Sequence, residues 1–99
     1  MNITKTINGT NLTLALSGRL DTMTSPQFEG EVKDSIANAT YLVLDFAALD
    51  YLSSAGLRVI LATQKIMNKQ GKMVVKNVNE TIMEVFEITG FADILTIEK

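Results

Sequence analysis

The sequence predicts one α/β domain, a mixed sheet of four or five strands packed against three or four helices. Three observations carry this. Two alternating, strand-like segments near the start are joined by a connection too short for anything but an antiparallel hairpin. Later apolar segments are separated by stretches of helical periodicity, so their strands run parallel with right-handed crossovers. The 99 residues, 46% apolar with a single proline, contain no repeat, linker or low-complexity segment, so residues 1–99 form one domain. A chain of this size buries roughly 60–65% of the surface its unfolded form exposes, enough for one well-patterned core.

The elements follow in order. Residues 3–7 and 11–17 read as strands, with Ile3 and Ile7 framing the first and Leu12, Ala15 and Leu16 populating the second. Asn8-Gly9-Thr10 between them has turn chemistry. After Arg19-Leu20-Asp21 a helix begins, with two N-cap candidates. Thr24 has capping-box spacing to Gln27, whereas Ser25 places Pro26 at the favoured first helical position. Phe28, Val32 and Ile36 make the helix's apolar stripe, and Glu29, Glu31, Lys33 and Asp34 its wet side. The run Tyr41–Phe46 suits a central strand buried on both faces, followed by a short loop. A second helix runs from about Ser54 to Gln70 and ends at Gly71. Met73-Val74-Val75 is the next strand. Asn77 and Glu80 have capping-box spacing for a third helix, which carries Val78, Ile82, Val85 and Phe86 on one face and closes at Gly90. Ile94–Ile97 reads as a last short strand.

Composition excludes several function classes. The net charge is −2 and no stretch concentrates lysine or arginine, so the chain lacks the cationic face that direct nucleic-acid binding or an anionic membrane requires. Without cysteine or histidine there is no disulfide, no Ser-His-Asp or Cys-His nucleophile system, and no ordinary zinc site. No apolar run approaches the ~18 residues of a membrane span, and the start Met1-Asn2-Ile3-Thr4 does not lead from a basic stretch into an apolar one. The expectation is a soluble, cytoplasmic protein, monomeric when free, with no cofactor, no metal and no catalytic residue.

The informative segment is Asp45–Arg58, where a buried strand ends, a short loop follows, and Ser53-Ser54 sit at a helix start. N–H groups at a helix start lack partners and the dipole there favours negative charge, so a phosphate on either serine is stabilised by its surroundings. Ala55 and Gly56 are small and allow close approach to the hydroxyl. The plainer role of a serine here is an N-cap. Gly56 costs about 1 kcal/mol relative to alanine in the first turn, which points either to that close approach or to tight packing against a strand. Asp21, Asp45 and Asp50 fall near one sheet edge, without the spacing of a metal site. Helix two is apolar on two sides, with Leu57, Ile60, Leu61 and Met67 on one and Ala55, Val59, Ala62 and Ile66 on the other.

Three segments resemble the STAS family, the sulfate-transporter and anti-sigma-factor-antagonist domain. Leu44-Asp45-Phe46 followed by Tyr51-Leu52-Ser53-Ser54-Ala55-Gly56-Leu57 and an apolar helix resembles its signature. Leu16-Ser17-Gly18-Arg19-Leu20-Asp21 resembles its first signature, a strand ending in a G-x-L-D pattern, and Ile88-Thr89-Gly90-Phe91 its glycine turn after the third helix. The resemblance therefore covers the whole chain and implies a STAS-like mixed sheet. In that family the phosphorylated serine lies two residues before the glycine matching Gly56, which maps it onto Ser54. This chain departs from the pattern on either side. Ser53 stands where aspartate is common, leaving it as a second candidate acceptor, and Ala55 stands where serine or threonine is common.

Chains of this length in the family are typically anti-sigma factor antagonists. The resemblance implies a partner-binding surface of Asp21, Asp50, Tyr51, Ser53, Ser54, Ala55, Gly56, Leu57 and Arg58. It implies that the unmodified form binds an anti-sigma factor that is itself a serine kinase, releasing the sigma factor. Phosphorylation of Ser54 then ends binding, and a serine phosphatase resets the switch. The alternative is an adaptor of the same fold, serving a transporter or lipid-transport complex without phosphorylation. A receiver-type aspartate acceptor at Asp45 or Asp50 is disfavoured by the opening hairpin and by Asp21 standing without an acidic neighbour.

Overall fold

A computed structural model describes all of residues 1–99. The order is β1 (Asn2–Asn8), β2 (Asn11–Leu20), α1 (Ser25–Ser35), β3 (Tyr41–Leu52), α2 (Ser54–Gln70), β4 (Lys72–Lys76), α3 (Glu80–Thr89), a 3-10 turn (Phe91–Asp93) and β5 (Ile97–Glu98). The five strands lie side by side in sequence order. β1 and β2 pair antiparallel from Asn2↔Ser17 to Asn8↔Asn11, and β2, β3, β4 and β5 are mutually parallel. The expected hairpin and crossovers are thus present, with five strands and three α-helices.

Alternation along the strands sets the layers. Leu12, Leu14 and Leu16 of β2, Leu42, Leu44 and Phe46 of β3, and Met73 and Val75 of β4 share one core. Phe28 and Val32 of α1, Leu57, Ile60 and Met67 of α2, and Ile82 and Phe86 of α3 complete it. The intervening residues of β2 and β3, such as Thr13, Ala15 and Val43, are half-buried on the other face of the sheet. Val74 is buried there but packs outside that core. The helices therefore cover one face of the sheet, and all three crossovers return to it.

Four details depart from the sequence reading, each for a local reason. β3 does not stop at Phe46 but runs on to Leu52. Its register against β2 shifts twice, once between Ala15 and Ser17 and once between Gly18 and Arg19, so β3 carries an extra residue at each step. Two bulges convert the period of two into a period of three, and Phe46, Leu49 and Leu52 are the buried residues of this stretch. The Asp45 carboxylate accepts from the Ala47 N–H at 3.0 Å, which holds the first bulge.

The cap of α3 is Asn79, whose side-chain oxygen accepts from the Ile82 N–H at 2.9 Å, not Asn77. Asn77 instead adopts a left-handed φ of 59° and donates to Asp45 at 2.9 Å. β5 begins only at Ile97, because the 3-10 turn Phe91–Asp93 precedes it and the N–H groups of Ile94 and Leu95 are both bonded back to the Phe91 carbonyl, at 3.0 and 2.9 Å. At α1 neither candidate serves as a side-chain cap. Thr24 occupies the N-cap position without such a bond, and its hydroxyl donates to the Arg19 carbonyl at 2.7 Å. The Ser25 hydroxyl donates to the Asp21 carbonyl at 2.6 Å, so both tie down the β2–α1 loop.

Helix α2 resolves the question of its two apolar stripes. Leu57, Val59, Ile60 and Met67 are buried, Ala55 and Leu61 are half-buried, and Ala62 and Ile66 face solvent. The apolar pattern missed two buried polar residues, Thr63 and Gln64. The Thr63 hydroxyl satisfies itself on the Val59 carbonyl at 2.7 Å. Gln64 donates to Asn68 while its carbonyl oxygen lacks a partner.

Candidate functional site

The ends of the parallel strands β2 and β3 converge on the start of α2. The two strands finish in register, Arg19 opposite Tyr51 and Leu20 opposite Leu52, and the Ser53 N–H donates to the Leu20 carbonyl at 2.9 Å. The chain then turns into α2. Ser53 is its N-cap, in extended geometry, with its hydroxyl oxygen accepting a long 3.5 Å bond from the Gly56 N–H. Ser54 is the first helical residue, and it is exposed with a side chain that makes no hydrogen bond within the protein. The two adjacent serines are thereby distinguished: one hydroxyl holds the helix start, the other is displayed.

Two of the nine sequence-predicted surface residues lie beneath that surface. Gly56 and Leu57 are buried. Gly56 has the packing reason: a Cβ there would come 2.7 Å from Leu20 Cγ and 2.8 Å from Leu52 Cδ1. The missing side chain lets α2 sit on the strand ends. Replacing Gly56 by alanine sets overpacking of about 1–3 kcal/mol against about 1 kcal/mol of helix propensity. A net loss of about 1 kcal/mol is expected in chemical denaturation, with amide shifts reaching Leu20 and Leu52. A variant more stable than the parent would show that the strand ends yield freely.

The remaining predicted residues, Asp21, Asp50, Tyr51, Ser53, Ser54, Ala55 and Arg58, stand at this end of the sheet with side chains exposed or half-buried. Sequence reasoning missed two neighbours. Arg19 stacks its guanidinium 4.0 Å from the centroid of Tyr51 and approaches Asp21 Oδ2 at 3.6 Å. Met23, 86% exposed, is the apolar tip of the β2–α1 loop. Arginine facing tyrosine across a parallel pair becomes visible only once the register is known. A shallow groove of ≈230 Å³ runs between the starts of α1 and α2, lined by residues including Pro26, Glu29, Ala55 and Arg58. The larger cleft of ≈260 Å³ lies at the opposite end, between the β1–β2 turn and the end of α1.

Asp21 organises the loop beside Ser54. Its Oδ1 accepts from the N–H groups of Met23 at 3.0 Å and Thr24 at 3.1 Å, and lies 3.2 Å from the Thr24 hydroxyl. Desolvation raises the pKa of this carboxyl. The bonds from Thr24 and Met23, with the Arg19 charge, together outweigh it and hold the group below the usual carboxylate range. A depressed folded pKa means stability that is complete above the unfolded value and lost as pH falls through the folded one. Wild type is therefore expected to melt above Asp21→Asn at neutral pH, the difference vanishing once the pH has fallen through the lowered folded pKa of Asp21. A gap that persists at that pH would place the effect elsewhere. The three aspartates do not converge: Asp45 is spent on its bulge and on Asn77, and no cluster of three metal-ligating side chains forms.

The fold and this site define a small α/β domain that presents an exposed serine at the start of a helix. Residues 2–99 match the STAS domain, and the chain belongs to that family. It is 36% identical over 88 residues to the candidate anti-sigma factor antagonist BtrV of Bordetella bronchiseptica, covering 87% of this chain and 76% of BtrV. Its fold superposes on the crystal structure of an anti-sigma factor antagonist from Mycobacterium paratuberculosis with a TM-score of 0.89 at 21% identity, covering 98% of this chain and 84% of that one. The Bacillus cell fate determinant SpoIIAA, an anti-sigma factor antagonist, has been solved unphosphorylated and phosphorylated. This chain matches the two forms with TM-scores of 0.78 and 0.77 at 17% and 18% identity, covering 99% of this chain and 88% and 92% of theirs. No helix is long and apolar enough to cross a membrane.

Proposed function

We propose that this chain is an anti-sigma factor antagonist whose docking surface is the Ser54 end of the sheet, switched off by phosphorylation of Ser54. The names of its relatives support the general role. The observation that carries the switch is the division of labour between adjacent serines: the Ser53 hydroxyl caps α2, whereas the Ser54 hydroxyl is exposed and unbonded.

In this reading the partner is an anti-sigma factor with serine kinase activity. The Ser54 oxygen bonds to the γ-phosphorus of ATP, the bond from that phosphorus to the ADP oxygen breaks, and the hydroxyl proton passes to a base or water. A serine phosphatase restores the hydroxyl with water, releasing inorganic phosphate. The chain is ligand and substrate in this cycle, and its own side chains leave the Ser54 hydroxyl unbonded, so the proton acceptor in this reading comes from the partner or from water. Incubation with the cognate kinase and ATP, followed by peptide mass spectrometry, is expected to place one phosphate on Ser54 and none on Ser54→Ala. A phosphate confined to Ser53, or one that survives Ser54→Ala, overturns the assignment.

A further inference from the structure

We propose that Arg58 is the internal counter-ion of a phosphate on Ser54, an inference that rests on the reading of Ser54 as the acceptor. The two residues stand one turn apart on α2 and both are exposed. Residues four apart share a helix face, and helical side chains lean toward the N-terminus, so a phosphate on Ser54 comes within the reach of the Arg58 side chain. A guanidinium offers paired donors that match two phosphate oxygens.

The site contains two cationic side chains, and they differ in commitment. Arg19 is held on the Tyr51 ring and beside Asp21. Arg58 makes no ion pair within 4.0 Å and no hydrogen bond, although it lines the groove shared with Glu29 of α1. Glu29 is itself 3.7 Å from Lys33. The acidic side chains of the adjoining strand ends are Asp21, already satisfied by its loop, and Asp50 of β3, exposed. Arg58 is thus the free cation that a dianion at the helix start would capture. Phosphorylation would then change the docking face twice, adding an anion and occupying the cation that the unmodified face offers a partner.

The test needs no kinase. Phosphoserine is installed at position 54 during translation, and the second phosphate pKa is read by phosphorus NMR in about 20 mM and about 1 M salt. In low salt the wild-type value is expected to lie about 0.2–0.4 unit below that of Arg58→Gln, with Arg58→Lys between them. The difference should collapse in high salt, where the screening length is about 3 Å. Amide spectra of both variants verify the fold. Equal values for wild type and Arg58→Gln in low salt overturn the proposal, as does a shift of that size produced by Arg19→Gln instead. A kinase that leaves Ser54 untouched, with the titration behaving as expected, would overturn the acceptor reading and leave the Ser54–Arg58 pairing standing.

Discussion

Phosphorylated at Ser54, the chain is expected to bind its anti-sigma partner more than a hundredfold more weakly while melting at the same temperature or higher. The two effects have different sources. Within the chain the phosphate sits at the positive end of α2, beside N–H groups that the Ser53 cap leaves free, where a negative charge is favoured by about 0.3–1 kcal/mol. That sign is stabilising and the size is far too small to repack a core built on Leu14, Leu44, Phe46 and Phe86. In an interface shaped for a hydroxyl, the same group must be desolvated or displaced, and a loss of only about 3 kcal/mol exceeds a hundredfold in affinity. Calorimetric titration with the partner, thermal melting and amide NMR together test this. Spectral changes should concentrate at residues 50–60; changes spread through β1 and β4 would indicate a global switch, and unchanged affinity would remove Ser54 from the mechanism.

Gly71→Ala is expected to be the most damaging single-methyl change in the chain. The glycine backbone is extended there, so its conformation is open to any residue, and the constraint is space. A Cβ would overlap the Thr40 carbonyl oxygen and lie 2.6 Å from its carbon. That carbonyl accepts the Lys72 N–H at 3.0 Å as β4 begins beside β3, so neither strand start can retreat without losing the pairing of Tyr41 with Lys72. A loss of about 2–3 kcal/mol, or roughly 10–20 °C in melting temperature, follows. Gly30→Ala on the exposed side of α1 is the control: nothing lies within 4 Å of its Cβ, and a gain of about 0.5–1 kcal/mol is expected. A Gly71→Ala protein that melts like wild type would show that the α2–β4 connection is looser than its geometry indicates.

Much of the architecture was legible because single residues report local needs. Asn8-Gly9 announced the hairpin, and the Phe28, Val32, Ile36 stripe announced α1. What stayed hidden depended on pairing between distant segments. The second half of β3 was invisible because its bulges impose a three-residue period, Phe46, Leu49, Leu52, that belongs to neither an ideal strand nor a helix. The α3 cap was misplaced by two residues because asparagine serves equally as a cap and as a left-handed turn residue, and the bond to Asp45 decided the role of Asn77. At the site, the exposed serine was legible from its motif. The Arg19–Tyr51 stack and the reason for Gly56 were not, since both arise where β2 and β3 end together.

The most direct test of the proposed switch adds ATP to the preformed complex of this chain with the proposed kinase partner and follows dissociation in real time, comparing wild type with Ser54→Ala. The account predicts that wild type leaves the complex as phosphate appears on Ser54, whereas Ser54→Ala binds normally and stays bound. Release of Ser54→Ala at the wild-type rate, or a wild-type complex that persists after Ser54 is fully phosphorylated, would contradict it.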